Sequence, residues 1–255
     1  YQTQNPNPQR GEEYNRFLSA SVKVFVPEST GFSGSSGSGT IIYYDSSKKL
    51  AYIASCGHLW TRGTLNADQE TNINRKCKII TWYKNSKKLN SPQTYDANLI
   101  FYSYLVGQDT SLISFTPDWE PNCFPIGPEN YVYNRGIHLH STGSDHSQET
   151  AHYDVEVIGM NGADLVTQYN SPRPGRSGGG LMDDDGFYVG TCWGTEYENG
   201  TGKGFFTGLT KREYFAAMAM QAILSQTYGL PISKEDSAIY AVEQADALIA
   251  ELNKG

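Results

Sequence analysis

A chain of 255 residues can bury a substantial core, as one large all-β domain or as two small ones. With 38% hydrophobic and 18% charged residues, 26 glycines and 18 tyrosines, it has the make-up of a globular protein, which excludes disorder of the whole chain. A formal charge of -7 and a pI near 5.2 argue against nucleic acid or an anionic membrane surface as partner, because both need a concentrated positive field.

Residues 1–17 are polar and do not read as a signal peptide, and no apolar run reaches the roughly 20 residues needed to cross a bilayer. The chain begins at Tyr1 rather than Met, as expected where a leader or larger precursor has been removed. After this N-terminal extension, short β-branched and aromatic runs recur between turn residues, which predicts antiparallel strands. In the first half they are Ser21–Val26, Thr40–Tyr44, Ala51–Ser55, Cys77–Tyr83, Asn98–Tyr104 and Ser111–Phe115. The stretch Thr30–Gly39 (TGFSGSSGSG) is expected to be a loop feeding a core strand. Proline-rich Thr116–Pro125 marks a junction between two strand groups.

The second half continues with Gly136–His140, Tyr153–Ile158, Ala163–Gln168, Phe187–Cys192 and Gly204–Thr207. No helical period is sustained before residue 210, so the expected class is all-β, a barrel or sandwich pair. Thr210 with Glu213 forms a capping-box pattern ahead of an amphipathic run, a helix over 211–228 that Gly229 and Pro231 stop. A further helix within 230–255 carries the apolar stripe Ile239, Val242, Ala245, Ile249 and Leu252. Residues 233–253 could thereby offer a helix-mediated contact, although packing on the domain is the plainer reading.

Cys56, Cys77, Cys123 and Cys192 include no C-x-x-C pair, which speaks against a structural zinc site. Their spacing does not say whether they pair, and free buried thiols are the simpler reading. His138 and His140 share a strand face and with His146 or His152 could hold a metal, but acidic or sulfur ligands at matching spacing are missing, so no metal is expected. Asp183-Asp184-Asp185-Gly186 lacks the alternating ligands of a calcium loop and reads as a hairpin turn.

The sharpest local signal is Gly175-Arg176-Ser177-Gly178-Gly179-Gly180, followed by an apolar strand. Glycines on both sides of a serine allow a tight turn in which two N–H groups aim at one spot, the geometry of an oxyanion hole. The flanks are not helical, so the turn is not an α/β-hydrolase elbow. Upstream, the strand Tyr52-Ile53-Ala54-Ser55 ends in Cys56-Gly57-His58, and a histidine at a strand end can present its ring to a cleft. Two carboxylates follow it, Asp96 and Asp109.

Gly37-Ser38-Gly39-Thr40-Ile41, Ser55-Cys56-Gly57-His58, Asp109-Thr110-Ser111-Leu112-Ile113 and Gly175-Arg176-Ser177-Gly178-Gly179, in this order, resemble a trypsin-like serine peptidase. Gly190-Thr191-Cys192-Trp193-Gly194 and Gly204-Phe205-Phe206-Thr207 are similar to the family's cleft strands, and the short loops look closer to its bacterial and viral branch. The resemblance covers most of residues 20–225. It implies two antiparallel six-stranded β-barrels followed by C-terminal helices: a peptidase domain over 18–229, with barrels at about 18–117 and 122–210.

By that resemblance Ser177 is the nucleophile, His58 the general base and Asp109 the residue that orients the histidine. The N–H groups of Gly175 and Ser177 form the oxyanion hole. Asp109 is preferred to Asp96 because Asn98–Tyr104 reads as the strand before the family's aspartate, while Asp96 stands at a strand entry. Ser171, Cys192, Trp193, Gly194 and Gly204 line the substrate cleft, with Ser171, Gly194 and Gly204 leaving an open pocket without a buried charge. An apolar or aromatic side chain before the scissile bond is then favoured, although Glu196 and Glu198 could attract basic ones. Arg176 departs from the vertebrate pattern, whose aspartate there receives a freed N-terminal ammonium, so that mode of activation is not expected. No cofactor is implied, the partner is a protein or peptide substrate, and the setting is extracytoplasmic, secreted or virion-associated. The competing expectation is a catalytically silent binding or structural module that keeps the fold.

Overall fold

The computed structural model describes residues 14–28, 33–61, 75–105, 108–127, 134–161, 164–168, 172–198 and 201–207, with 236, 239, 242–244, 246 and 247 near the C-terminus. Among these, a short helix α1 (Asn15–Ala20) leads into β1 (Ser21–Val26), β2 (Ser35–Asp45), β3 (Leu50–Ser55), β4 (Lys76–Lys84), β5 (Lys87–Leu105) and β6 (Gln108–Phe115). Then come β7 (His138–Gly143), β8 (Ala151–Asn161), β9 (Asp164–Gln168), β10 (Gly180–Met182), β11 (Tyr188–Glu198) and β12 (Thr201–Thr207). They close into two six-stranded barrels, in the order β1-β2-β3-β6-β5-β4 and β10-β11-β12-β9-β8-β7. Every pairing is antiparallel, as short strands joined by tight turns require.

The side chains show why each strand sits where it does. β4 alternates between buried and more exposed positions along its whole length, so Cys77, Ile79, Thr81 and Tyr83 face inward. Val22, Val24, Ile41, Ile53, Ile79, Leu99 and Ile113, each at most 2% exposed, fill the first barrel. Leu139, Val155, Val157, Leu165, Leu181, Val189, Cys192 and Phe206 fill the second. Asn85 and Ser86, both at positive φ, make the two-residue hairpin between β4 and β5, whose twist matches the strands it joins. Bulges at Ile41/Tyr43, Thr81/Tyr83, Leu99/Phe101 and Val157/Gly159 bend the longer strands as barrel closure demands.

Three expectations shift. The part of the glycine- and serine-rich loop from Ser35 to Gly39 belongs to β2 and pairs with β1 from Val26 back to Val22. Its residues are small because other chain segments lie directly on them: a Cβ at Gly37 would stand 2.6 Å from Ser177 O and 2.7 Å from Leu59 Cδ1. β7 starts two residues later than its apolar pattern suggests, because Gly136 (φ 92°) is spent on a turn whose N–H donates to Val157 O. Residues 14–17 were expected in the polar extension, yet Phe17 is 2% exposed and stacks on Phe124 at 5.1 Å. The proline-rich junction stitches the barrels, with Phe124 N–H donating to Ile41 O and Tyr188 N–H to Pro125 O.

A separate compact unit comprises Ile126–Val132 and Leu209–Gly255. Its described positions 236, 239, 242–244, 246 and 247 are helical, whereas the helix expected over 211–228 lies outside the described residues. Among the described residues no helix is long and apolar enough to cross a membrane.

Phe17→Ala removes a buried ring that the N-terminal segment packs against Phe124 and His140. It is expected to destabilise the protein by about 3 kcal/mol in urea titration, where a dispensable extension gives no change.

Candidate active site

His58 and Asp109 meet because β3 pairs with β6. The register Ser55↔Ser111 sets the chain leaving β3 beside the start of β6, and Ser111 Oγ donates to Cys56 O at 2.9 Å to hold it there. A short 3-10 turn, His58–Trp60, then swings the imidazole out while Leu59 and Trp60 stay buried. Asp109 is 7% exposed and its carboxylate is spoken for on both oxygens. Oδ1 accepts from the N–H of Gly57 at 2.6 Å and of His58 at 2.8 Å, and Oδ2 lies 2.6 Å from His58 Nδ1. The two backbone bonds fix the carboxylate, and the carboxylate fixes the ring with Nδ1 as the protonated nitrogen. Asp96 is elsewhere: its side chain is 85% exposed and pairs with Lys78, its register partner on β4.

The Ser177 loop is built against the same segment. Gly178 has φ 87°, and a Cβ there would collide with Ser38 O at 2.1 Å and Ser55 Oγ at 2.3 Å, so only glycine fits. The first barrel is bonded to the loop through Ser38, whose N–H donates to Ser177 O at 2.7 Å and whose Oγ donates to Gly175 O at 2.8 Å. The second barrel is bonded through Cys192, whose carbonyl accepts from Gly178 N–H and whose N–H donates to Gly179 O. Arg176 and Gly179 N–H groups are also used, on Arg173 O and Arg176 O. Among the described residues the N–H groups of Gly175 and Ser177 have no backbone acceptor, which leaves them available at the serine. Among the described residues no hydrogen bond joins Ser177 Oγ to His58 Nε2, which lies 3.8 Å from Cys56 Sγ.

Cys56, His58 and Asp109 could together hold a cation, but the thiol is a poor ligand and a poor nucleophile here. It is completely buried, and burial, with the Asp109 charge adding to it, pushes its pKa well above the ordinary thiol range. Burial likewise raises the Cys192 thiol to about 12. All four cysteines are free.

Arg176 carries the feature that sequence reading missed. Its side chain is 1% exposed and forms a bidentate pair with Asp145, with Nε 3.0 Å from Oδ1 and Nη2 2.7 Å from Oδ2. The guanidinium lies 3.9 Å from the Tyr153 ring centre, and Nη1 donates to Ser141 Oγ at 3.3 Å. Asp145 also accepts from Arg173 N–H and from Tyr153 OH, and His146 N–H donates to Pro174 O at 2.6 Å. The β7–β8 connection thus grips the loop at Arg173, Pro174 and Arg176, just ahead of Ser177. The only sequence signal was a buried-type position filled by arginine, which demands a carboxylate without saying which.

Of the cleft residues expected, Cys192 is buried inside β11, Trp193 is 38% exposed with Phe205 at 5.5 Å, and the space beside Gly194 is open. The space beside Gly204 is filled by Phe206, Thr167 and Pro172, an uncharged set. Ser171 and the side chains of Glu196 and Glu198 lie outside the described residues.

No family model and no curated protein matches the sequence. Solved structures do match in fold. A serine endoprotease from Yersinia pestis aligns with TM-score 0.55 and 19% identity over 84% of this chain. The HtrA-type protease AlgW with a tripeptide aligns with TM-score 0.55 and 18% identity, again over 84%. A protease from M. tuberculosis in its active form aligns with TM-score 0.54 and 14% identity over 80%. The chain spans 66%, 63% and 82% of those three. These likenesses, with two closed six-stranded barrels, define the class: a chymotrypsin-like, trypsin-type serine-peptidase fold. At such identities the likeness is one of fold.

Asp145→Asn leaves a buried guanidinium without its counter-charge and is expected to cost about 3–5 kcal/mol of unfolding free energy. The double variant Asp145→Asn/Arg176→Gln is expected to recover part of that loss, and strict additivity in urea titrations would show that the two groups are not coupled.

Proposed function

We propose that this chain is a serine endopeptidase that cleaves peptide bonds through an acyl-enzyme, with Ser177 as nucleophile, His58 as general base and Asp109 as the residue that orients it. The observation that carries the reading is the Asp109 carboxylate, bonded to two backbone N–H groups and to His58 Nδ1 at 2.6 Å, beside a glycine-fitted serine turn. In this mechanism Asp109 keeps the Nε2 lone pair of His58 directed at the cleft. His58 Nε2 takes the Ser177 proton as Oγ attacks the carbonyl carbon, then returns it to the leaving amine. The hydrogen bond from Ser177 Oγ to Nε2 tightens when substrate arrives, as such bonds commonly do. The developing oxyanion accepts from Gly175 and Ser177 N–H, and each such donor lowers the barrier by roughly 2.7–4 kcal/mol.

Cys56 is not the nucleophile, since its sulfur is fully buried and held as the neutral thiol. Selection for an apolar residue before the scissile bond is part of the same proposal, supported by the open space beside Gly194 and not by Gly204, whose side is filled. Arg176, paired internally with Asp145, supports an enzyme competent as folded, without capture of a new N-terminus. The extracytoplasmic setting is part of the same proposal.

A fluorophosphonate probe is expected to label the native protein at Ser177, and labelling and peptide turnover are expected to vanish in Ser177→Ala. A folded protein that fails both is a silent member of the fold. Asp109→Asn is expected to lower kcat about 10⁴-fold, the loss known for this residue in chymotrypsin-type triads, whereas Asp96→Asn leaves the rate unchanged. Thiol alkylation at neutral pH is expected to leave turnover intact.

A further inference from the structure

A second cluster of chemistry-bearing side chains sits on the β7–β8 hairpin and shares no residue with the candidate active site. The register sets His140 opposite Asp154 and His152 opposite Thr142, which gathers the two histidines and the aspartate on one face. His140 Nδ1 lies 2.8 Å from His152 Nε2 and 3.7 Å from Asp154 Oδ1, and all three atoms lie within 4.8 Å of one another. The far sides of His140 and Asp154 are held as well. His140 Nε2 bonds Asp184 Oδ1 at 2.5 Å, and Tyr14 OH donates to Asp154 Oδ2 at 3.2 Å. Tyr14 stacks on His152 at 3.8 Å and Phe17 on His140 at 4.2 Å, which fixes both ring planes.

We propose that His140 Nδ1, His152 Nε2 and Asp154 Oδ1 bind a zinc-class divalent cation, with a fourth position open to water. Two imidazoles and one carboxylate are the donors that borderline cations of this class take as three protein ligands. A carboxylate on the far nitrogen of a ligating histidine is the usual outer support, and Asp184 supplies it. The fit needs little movement: zinc–nitrogen bonds of about 2.0–2.1 Å at a tetrahedral angle set the two nitrogens roughly 3.3 Å apart. Without the ion, a hydrogen bond joins His140 Nδ1 and His152 Nε2, so the fold does not depend on metal to form.

The residues around the ion come from both ends of the domain. Tyr14 and Phe17 precede the first barrel, while β7 and β8 belong to the second. A bound cation would therefore tighten the N-terminal segment onto the second barrel, as a structural clamp rather than a part of peptide hydrolysis.

The test uses the full chain, stripped with chelator and titrated calorimetrically with Zn²⁺ alone, with Co²⁺ absorption reporting the donor set. Wild type is expected to take up one ion per chain and to gain thermal stability on doing so. Affinity is expected to fall about 100-fold in His152→Ala and about tenfold or more in Asp154→Ala, with Cys56→Ser unchanged. Asp154 is 43% exposed on its side chain, so its variant folds even if His152→Ala does not. No stoichiometric uptake by folded wild type overturns the proposal. So does uptake that is the same in Asp154→Ala as in wild type, and so does uptake lost in Cys56→Ser, which would locate the ion beside His58 instead.

Discussion

A guanidinium taken out of water must be met by a carboxylate, and the placement of Arg176 next to Ser177 imposes that condition on the serine turn. Asp145 meets it with both oxygens, and Ser141, Tyr153, Arg173 and Pro174 are drawn into the same arrangement. Because the counter-ion comes from the β7–β8 connection, the serine turn cannot relax without exposing a charge. The pair reverses the polarity of the vertebrate arrangement and draws both partners from within the folded chain.

The first barrel contributes a matching constraint of opposite character. Around Asp109 the bonds are short and local to two strand ends, and they act on a ring that is a quarter exposed rather than on a buried charge. One barrel thus orients an imidazole while the other stiffens a backbone turn. Ser38 joins them by bonding to the carbonyls of Gly175 and Ser177. Small residues in β2 are the cost of that approach, which is why a stretch that looks like a linker is a strand.

The N-terminal residues add a third link between the barrels. Phe17 fills a gap between Phe124 and His140, and Tyr14 covers His152 and Asp154. Tyr14 and Phe17 stack on the faces of the two close imidazoles and help to bury them. Burial, with His140 beside it, accordingly lowers the His152 pKa to about 3.

The amino-acid sequence by itself determined the strand content, the two groups of strands and the two local motifs that hold His58 and Ser177. Alternation, turn residues and glycine clusters are encoded within a few residues of where they act. Spacing alone left Asp96 and Asp109 open, because both precede apolar runs, and the family resemblance favoured Asp109. That choice rests on β3 pairing with β6, which carries Asp109 to His58 and leaves Asp96 beside Lys78. The partner of Arg176, the junction of His140 with Asp154 and the burial of Phe17 were likewise decided by tertiary structure. Each depends on register or barrel closure between residues distant in the chain, and such long-range pairings leave no local pattern to read.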